Sequence, residues 1–500
     1  MQLLEKISTL IASFEKEHPV SSWKYGEMDV WPVLRALVFV ECRNHLLSTS
    51  NGVEFDWKKG KPNNTHFFKQ KVKKWTARLF NLSIPSKKKK NSFSHEPEKS
   101  LDFMFFSSWY FRVNYKGQFI NKFFQPLLEY ISNQHSSSAL VVEYSLHPKY
   151  TIEYESIRKD TLFLQDYATN AAPVMPSQSW AENHLFRLFF DSVYALGFTE
   201  PLDKLLIKKI DRVYRESCIY EELFIRYKPA YAICQTFFNE SMFAMVFAAQ
   251  KAGVVSLDLG HGFPCGTSNL IYTNLENFPD RGYNTLPKLF WVWGDPVKNS
   301  MDYWIQKQFK HQVLVGGNPW LEYTRKGLKK ERLSSKKVVL YTLSINLPEQ
   351  FVMDTMKLTA ETHEWWIRLH PSIRSSKAEL GEVLGRNGVL NYNLNDANSE
   401  SLPYLLLNCD VHISRNSSSI YESVVFGNYP IILDKEGMAY YHHYVGKEQA
   451  YSVINKSSED LVQLIDFVVG KGKGKEDIEA SYKETLDLLV NYQFQWHTIS

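Results

Sequence analysis

A chain of 500 residues is too long for one hydrophobic core, so two or three domains are expected. With 44% hydrophobic and 22% charged residues it is globular, and a net charge of only +4 gives no bulk positive field of the kind that holds nucleic acid. The five cysteines (Cys42, Cys218, Cys234, Cys265 and Cys409) are scattered, without CxxC or Cys/His ligand spacing, which speaks against a disulfide frame and a structural zinc site.

The chain begins without a signal-peptide pattern, Glu5 and Lys6 standing where apolar residues would be needed. No apolar run approaches the roughly 18 residues of a spanning helix. The expected location is the cytoplasm, with peripheral contact to the inner face of a membrane as the alternative. Residues 1–50 predict two helices, the first from Leu3, Leu4, Ile7, Leu10, Ile11 and Phe14 at helical spacing, the second after Trp31-Pro32. Residues 67–82 read as a basic amphipathic helix, and 83–99 as a polar loop containing Lys87 to Lys90. That run is either a solvated loop or, with the helix, a patch for an anionic membrane.

Apolar strands are then predicted at 103–106, 139–144, 161–164, 230–235 and 254–259, with helices at 127–131, 220–227 and 241–251. A second alternation follows, with strands at 289–293, 313–315, 338–342, 365–369, 411–414 and 430–433. Its helices are expected at 304–309, 353–362 and 402–407, and a last helix at 478–492. Alternating strands and helices predict parallel sheets covered on both faces. The expected architecture is α/β: two tandem doubly wound, Rossmann-like domains with a helical N-terminal extension and a terminal helix that crosses back. The boundaries are an extension over 1–98, a first domain over 99–286, a second over 287–476, and the crossing helix over 477–500.

Strand ends carry the chemistry. Gly260-His261-Gly262 follows the strand at 254–259; it is either a close approach to a ligand, with His261 as base or donor, or a turn that needs positive φ. Gly317-Asn318 after 313–315 is either a backbone nest or a plain tight turn. Trp293-Gly294-Asp295-Pro296 reads as a helix start, with Asp295 as its cap. Arg368 and His370, two apart on a strand, fall on one side and can meet the same anion. Ser417-Ser418-Ser419 with Glu422 opens a helix after the strand at 411–414, as an anion site, a capping box, or both. No GxxxxGK[ST] loop, GxSxG elbow, HExxH or GxGxxG is present.

In this order, Gly260-His261-Gly262, Trp293-Gly294, Gly317-Asn318-Pro319, Arg368-Leu369-His370-Pro371 and Ser417-Ser418 with Glu422 resemble the motifs of GT-B glycosyltransferases of bacterial capsule and lipopolysaccharide synthesis. The last two resemble the His-Pro and Ser-Ser motifs of Kdo transferases, sialyltransferases and CDP-glycerol polymerases. The resemblance covers roughly residues 100–490. It implies a metal-independent transferase without a cofactor, the nucleotide-sugar being a substrate, and a glycan or lipid-linked acceptor. Arg368, Ser417, Ser418, Ser419, Glu422, Asn318 and Gly317 would serve the donor nucleotide and its phosphate, and His370 would be a general acid. His261, Gly260 and Gly262 would face the acceptor in the first domain.

The implied donor is CMP-Kdo or another CMP-ulosonic acid. A UDP- or GDP-sugar, a CDP-alditol phosphotransfer, and a binding subunit without chemistry are the alternatives. Sialyltransferase-like enzymes use a carboxylate base in the first domain. Glu143, Asp166 and Glu240 are the residues that pattern offers for it, and Glu400 is the acid offered for the nucleotide ring.

Overall fold

The computed structural model describes residues 2–50, 55–56, 61–62, 100–167, 174–198, 201–262, 270–272, 275–370, 377–453, 455–474 and 480–491. The basic stretch 67–90, Cys265, Phe263, Pro264 and Pro371 lie outside them. The chain divides into two units, one of 1–261, 267–291 and 299–314, the other of 262–266, 292–298 and 315–500.

The first unit begins with helices α1 (Gln2–Glu17) and α2 (Trp31–Ser50). They are part of its core and not a separate extension. Glu15 and Arg35 pair at 3.2 Å with both side chains buried, Glu15 Oε1 accepts the amides of Glu276 and Asn277, and Phe14 packs on Phe189. The sheet is built from β1 (Phe103–Ser108), β2 (Ala139–Ser145), β3 (Thr161–Phe163), β4 (Tyr231–Cys234), β5 (Val255–Leu259), β6 (Leu289–Val292) and β7 (Gln312–Val315). Its order is β7-β6-β5-β4-β1-β2-β3. Phe105, Ile233 and Leu257 stand in register on neighbouring parallel strands and are fully buried. Near-continuous apolar strands are what a parallel sheet covered on both faces requires. The 26-residue helix α3 (Leu202–Tyr227) buries Leu202, Leu206, Ile210, Val213, Tyr220 and Leu223 at helical spacing and ends on Lys228 in the left-handed region. Helix α4 (Glu240–Lys251) packs beside it, capped by Asn239 Oδ1 on the Met242 amide at 3.0 Å.

β6 and β7 were expected to open the second domain, yet they extend the first sheet, with Leu257 opposite Leu289. The strand-helix rhythm runs on without a break there, so nothing local marks where one sheet stops. The passage to the second unit falls at 315 and not at 287.

The second sheet is formed by β8 (Lys337–Leu343), β9 (His363–Leu369), β10 (Tyr392–Asn393), β11 (Val411–Ser414), β12 (Ile431–Ile432) and β13 (Tyr451–Ser452). Its order is β10-β9-β8-β11-β12-β13, every pair parallel. Val339, Tyr341, Trp365, Ile367, Val411 and Ile413 form one buried cluster on a single face. Three helices matter for the site: α5 (Pro319–Arg325), α6 (Ser419–Val425) and α7 (Lys435–Gly446). The last helix, α8 (Tyr482–Asn491), groups with the second unit, where Glu322 Oε2 accepts from Ser481 Oγ at 3.0 Å and from the Tyr482 amide at 3.3 Å. Both halves are thus doubly wound, as expected.

Candidate active site

In the second sheet the chain runs β8, β9, β10 outward on one side and restarts with β11 on the other. The switch point therefore lies between β8 and β11, and doubly wound sheets take ligands outside the strand carboxyl ends at such a point. Register sets Arg368 beside Thr342 and Thr342 beside Ser414 in one row across β9, β8 and β11. The chain leaves Ser414 through Arg415 to Ser418 and enters α6. The two stretches singled out in the sequence thus meet at one strand edge.

Arg368 Nη1 donates to the carbonyls of Ala397 at 2.8 Å and Glu400 at 2.5 Å. Burial pulls its pKa below the ordinary arginine value, and the charges of Glu422 and then Glu400 oppose that shift. Glu422 is buried in α6, and its Oε1 accepts Asn318 Nδ2 at 3.4 Å. Asn318 Oδ1 meanwhile caps α5 through the Trp320 amide at 3.0 Å. Arg368, Glu422 and Asn318 therefore form one electrostatic cluster. No capping box forms, because the Glu422 side chain goes to Asn318 and Ser418 caps nothing with its own. His370 lies half-buried one residue beyond β9, its amide donating to Leu343 O at 3.0 Å.

Two residues expected to bind the donor have other duties. Ser419 is 3% exposed and turned inward, its Oγ 2.9 Å from Thr342 Oγ1. Thr342 Oγ1 also lies 2.9 Å from His412 Nε2 and 2.8 Å from Ser414 Oγ, so these four side chains make a polar floor under the strand edge. Burial keeps His412 neutral, with its pKa pushed down to about 3, and its Nδ1 has no partner among the described residues. Gly317 has φ +70°, and a Cβ there would collide with the carbonyl oxygen of Ala480. The glycine is required by close packing of the terminal segment, which is not the open nest that was the functional expectation. Ser417 and Ser418 stay half-buried, Ser417 Oγ accepting the Ser419 amide at 3.3 Å.

Sequence reasoning passed over Arg415, whose Nε donates to Asp434 Oδ2 at 2.8 Å while Asp434 Oδ1 caps α7 through the Gly437 amide at 2.7 Å. The pair ties the loop before α6 to the start of α7. A signal was available: Arg415 directly follows the strand, and Asp434 sits at a helix start.

In the first unit, the Gly260 amide donates to Trp291 O at 2.8 Å. His261 packs its ring on Phe111 at 5.4 Å and Phe238 at 6.1 Å. Burial, reinforced by the Lys122 charge, takes its pKa down to about 4, so the imidazole is neutral at pH 7, and its Nδ1 has no partner among the described residues. Neither Gly260 nor Gly262 adopts a left-handed φ, so a need for positive φ does not account for these glycines. Gly262 groups with the second unit, and a Cβ on it would stand 2.9 Å from Ser418 Oγ. None of the three carboxylates offered as a base is free of a cation. Glu143 Oε2 takes Arg112 Nε and Nη2 at 2.8 Å each, Asp166 pairs with Arg158 at 2.9 Å, and Glu240 holds Lys209 and Arg212 at 2.8 Å each. Glu400 is exposed and serves the site through its carbonyl.

Among the described residues no cluster of three His, Cys, Asp or Glu is placed to hold a metal ion. What the second strand edge offers is a guanidinium, serine hydroxyls and a histidine, which suits an anion such as a phosphate.

No protein-family model matches the chain, and no curated protein matches it in sequence. Solved structures do resemble it. UDP-GlcNAc 2-epimerase from Neisseria meningitidis, bound to UDP-GlcNAc, superposes with a TM-score of 0.52 at 13% identity over 78% of this chain and 100% of that one. A Listeria monocytogenes protein described as a UDP-N-acetylglucosamine 2-epimerase gives 0.50 at 9% identity, over 79% and 96%. A glycosyltransferase from Streptomyces nogalater gives 0.38 at 10% identity, over 79% and 100%, a likeness too low to carry an argument. At these identities the likeness concerns fold alone: two doubly wound domains of the GT-B class.

Proposed function

We propose that the chain is a glycosyltransferase that uses a nucleotide-activated sugar, with the donor phosphate at the second sheet's switch point. The observation that carries this reading is the in-register row of Arg368, Thr342 and Ser414, continued by Ser417 and Ser418. As the bond from the sugar to the phosphate oxygen breaks, negative charge grows on that oxygen. Arg368 and the serine hydroxyls would stabilise it, and His370 would protonate it. The acceptor hydroxyl oxygen forms the new bond and gives up its proton. His261, in the first unit, is in the neutral form that can take it. The basic stretch 67–90 would keep the enzyme near a lipid-linked acceptor, and no described helix is long and apolar enough to cross a membrane.

The His-Pro and Ser-Ser motifs favour a CMP-ulosonic acid such as CMP-Kdo as donor. The fold relatives favour UDP-GlcNAc. They also support a second reading, a sugar-nucleotide epimerase that needs no acceptor. Incubation with CMP-Kdo, other CMP-sugars, CDP-glycerol, UDP-GlcNAc and GDP-sugars, followed for released nucleotide, separates the two. Transfer predicts nucleotide release that depends on an acceptor. Solvent deuterium entering the sugar of UDP-GlcNAc, with an epimeric sugar nucleotide formed, would replace the transferase by the epimerase. His370→Ala is expected to cut turnover strongly while the protein stays folded, and wild-type turnover in that variant would remove His370 from the chemistry.

A further inference from the structure

The first sheet has its own switch point. The chain runs β1, β2, β3 outward and returns with β4 on the other side of β1, so the crevice lies between β1 and β4. A cavity of about 490 Å³ opens there, within the size range of small-molecule sites. It is bounded by the end of β1 at Ser108, the end of β2 at Ser145, Thr236 just after β4, and the start of α4. Thr236 has φ +56°. A β-branched residue in the left-handed region is strained, and such strain collects at functional sites.

The wall chemistry is specific. Glu216, from α3, lines the cavity and accepts Ser241 Oγ on Oε2 at 2.6 Å. Burial raises the pKa of this carboxyl above the ordinary glutamate value, and the Arg212 charge opposes that shift. The nearby cations are already engaged, since Arg212 and Lys209 both pair with Glu240. Within the cavity the Arg212 guanidinium is shared by two carboxylates, Glu240 and Glu216, so an entering phosphate or carboxylate would meet more negative than positive charge. Tyr110, 48% exposed, and Phe238 add aromatic surface together with Phe111 and Tyr144, and serine and threonine hydroxyls, Asn239 and the Arg212–Glu240 pair line the remainder.

We propose that this cavity binds an uncharged sugar residue, with Glu216 and Ser241 reading its hydroxyls and Tyr110 and Phe238 supporting the ring. Neutral polyhydroxyl ligands satisfy carboxylate- and hydroxyl-lined walls, and their C–H faces lie on aromatic rings. His261, packed on Phe238 and Phe111, stands behind one wall of the cavity. That the bound sugar is the acceptor rests on the transferase reading; that the cavity binds sugar does not.

The test is a printed array of neutral and acidic mono- and oligosaccharides probed with the full chain, followed by titration of the strongest free sugar. Binding to neutral sugars is expected, weakened about tenfold or more in Glu216→Leu and less in Glu216→Gln. CMP and UDP binding, measured in parallel, should be unchanged in both. If Glu216→Leu fails to fold, Tyr110→Ala, at an exposed ring, is expected to weaken sugar binding several-fold. No sugar bound, phosphorylated or acidic sugars preferred, or equal affinity in all folded variants would overturn the inference. Sugar binding without acceptor-dependent nucleotide release would instead overturn the transferase and leave the cavity assigned.

Discussion

The two switch points have the same topology and opposite chemistry. In the second sheet the strand edge is set with Arg368, Ser417 and Ser418 over a closed floor of Thr342, His412, Ser414 and Ser419. In the first, the edge opens into a cavity whose one lining cation, Arg212, is shared by the carboxylates of Glu240 and Glu216. One edge suits an anion, the other a neutral, hydroxyl-rich molecule. The parallel sheet supplies the place, and the residues just past each strand decide what can occupy it.

The sharpest way to break this contrast is to remove the charge at the anionic edge. Arg368→Ala is expected to lower turnover about a hundredfold or more, since under the proposed function it deletes the charge-assisted donor to the leaving phosphate. Affinity for free CMP or UDP should fall with it. Sugar binding in the first unit should not change. If nucleotide affinity survives in a folded Arg368→Ala protein, the phosphate is held elsewhere and the two edges are not partitioned in this way. The loss of Nη1 from the carbonyls of Ala397 and Glu400 makes a thermal melt a necessary control.

How far the sequence reveals this contrast depends on the residue. The strands were legible because parallel strands are apolar on both faces, and β8 is buried at six consecutive positions from Val338 to Leu343. The unit boundary was not, because β6 and β7 continue the same rhythm. Helix α3 was read only over its last two turns. Its polar residues interrupt the apolar stripe, and with the rest of the helix Glu216 escaped notice. Gly317 could not be separated from a phosphate nest, because its reason for being glycine is Ala480, far along the chain. Three serines in a row could not be told apart either. Which one faces the floor is set by where α6 begins and by what Thr342 offers.

That last ambiguity yields a finer test. Ser419→Ala should cost about 1–2 kcal/mol of stability, because it removes a buried partner from the Thr342 network, and should leave nucleotide affinity near wild type. Ser417→Ala should do the reverse, with nucleotide binding down about tenfold and stability changed by less than about 1 kcal/mol. Chemical denaturation and nucleotide titration on both variants decide the matter. Equal effects of the two substitutions would erase the distinction between floor and edge.

The smallest expected effect concerns the floor alone. His412 is held neutral in the folded state, with its pKa pushed down to about 3 by burial, against about 6.5 in an unfolded chain. Between those values the unfolded state binds a proton that the folded state refuses. The stabilisation is therefore complete above about pH 6.5 and declines as pH falls, until His412 itself protonates near 3. From pH 7.5 to 5.5 this one residue should cost on the order of 1 kcal/mol. His412→Gln, which no longer titrates, should show a correspondingly smaller drop in urea stability over the same interval. Taking the difference between variant and wild type at each pH cancels the titration of all other groups. An identical drop in both proteins would mean that acid does not act through the floor, and its polar side chains would then be no more pH-sensitive than the apolar face of the same sheet.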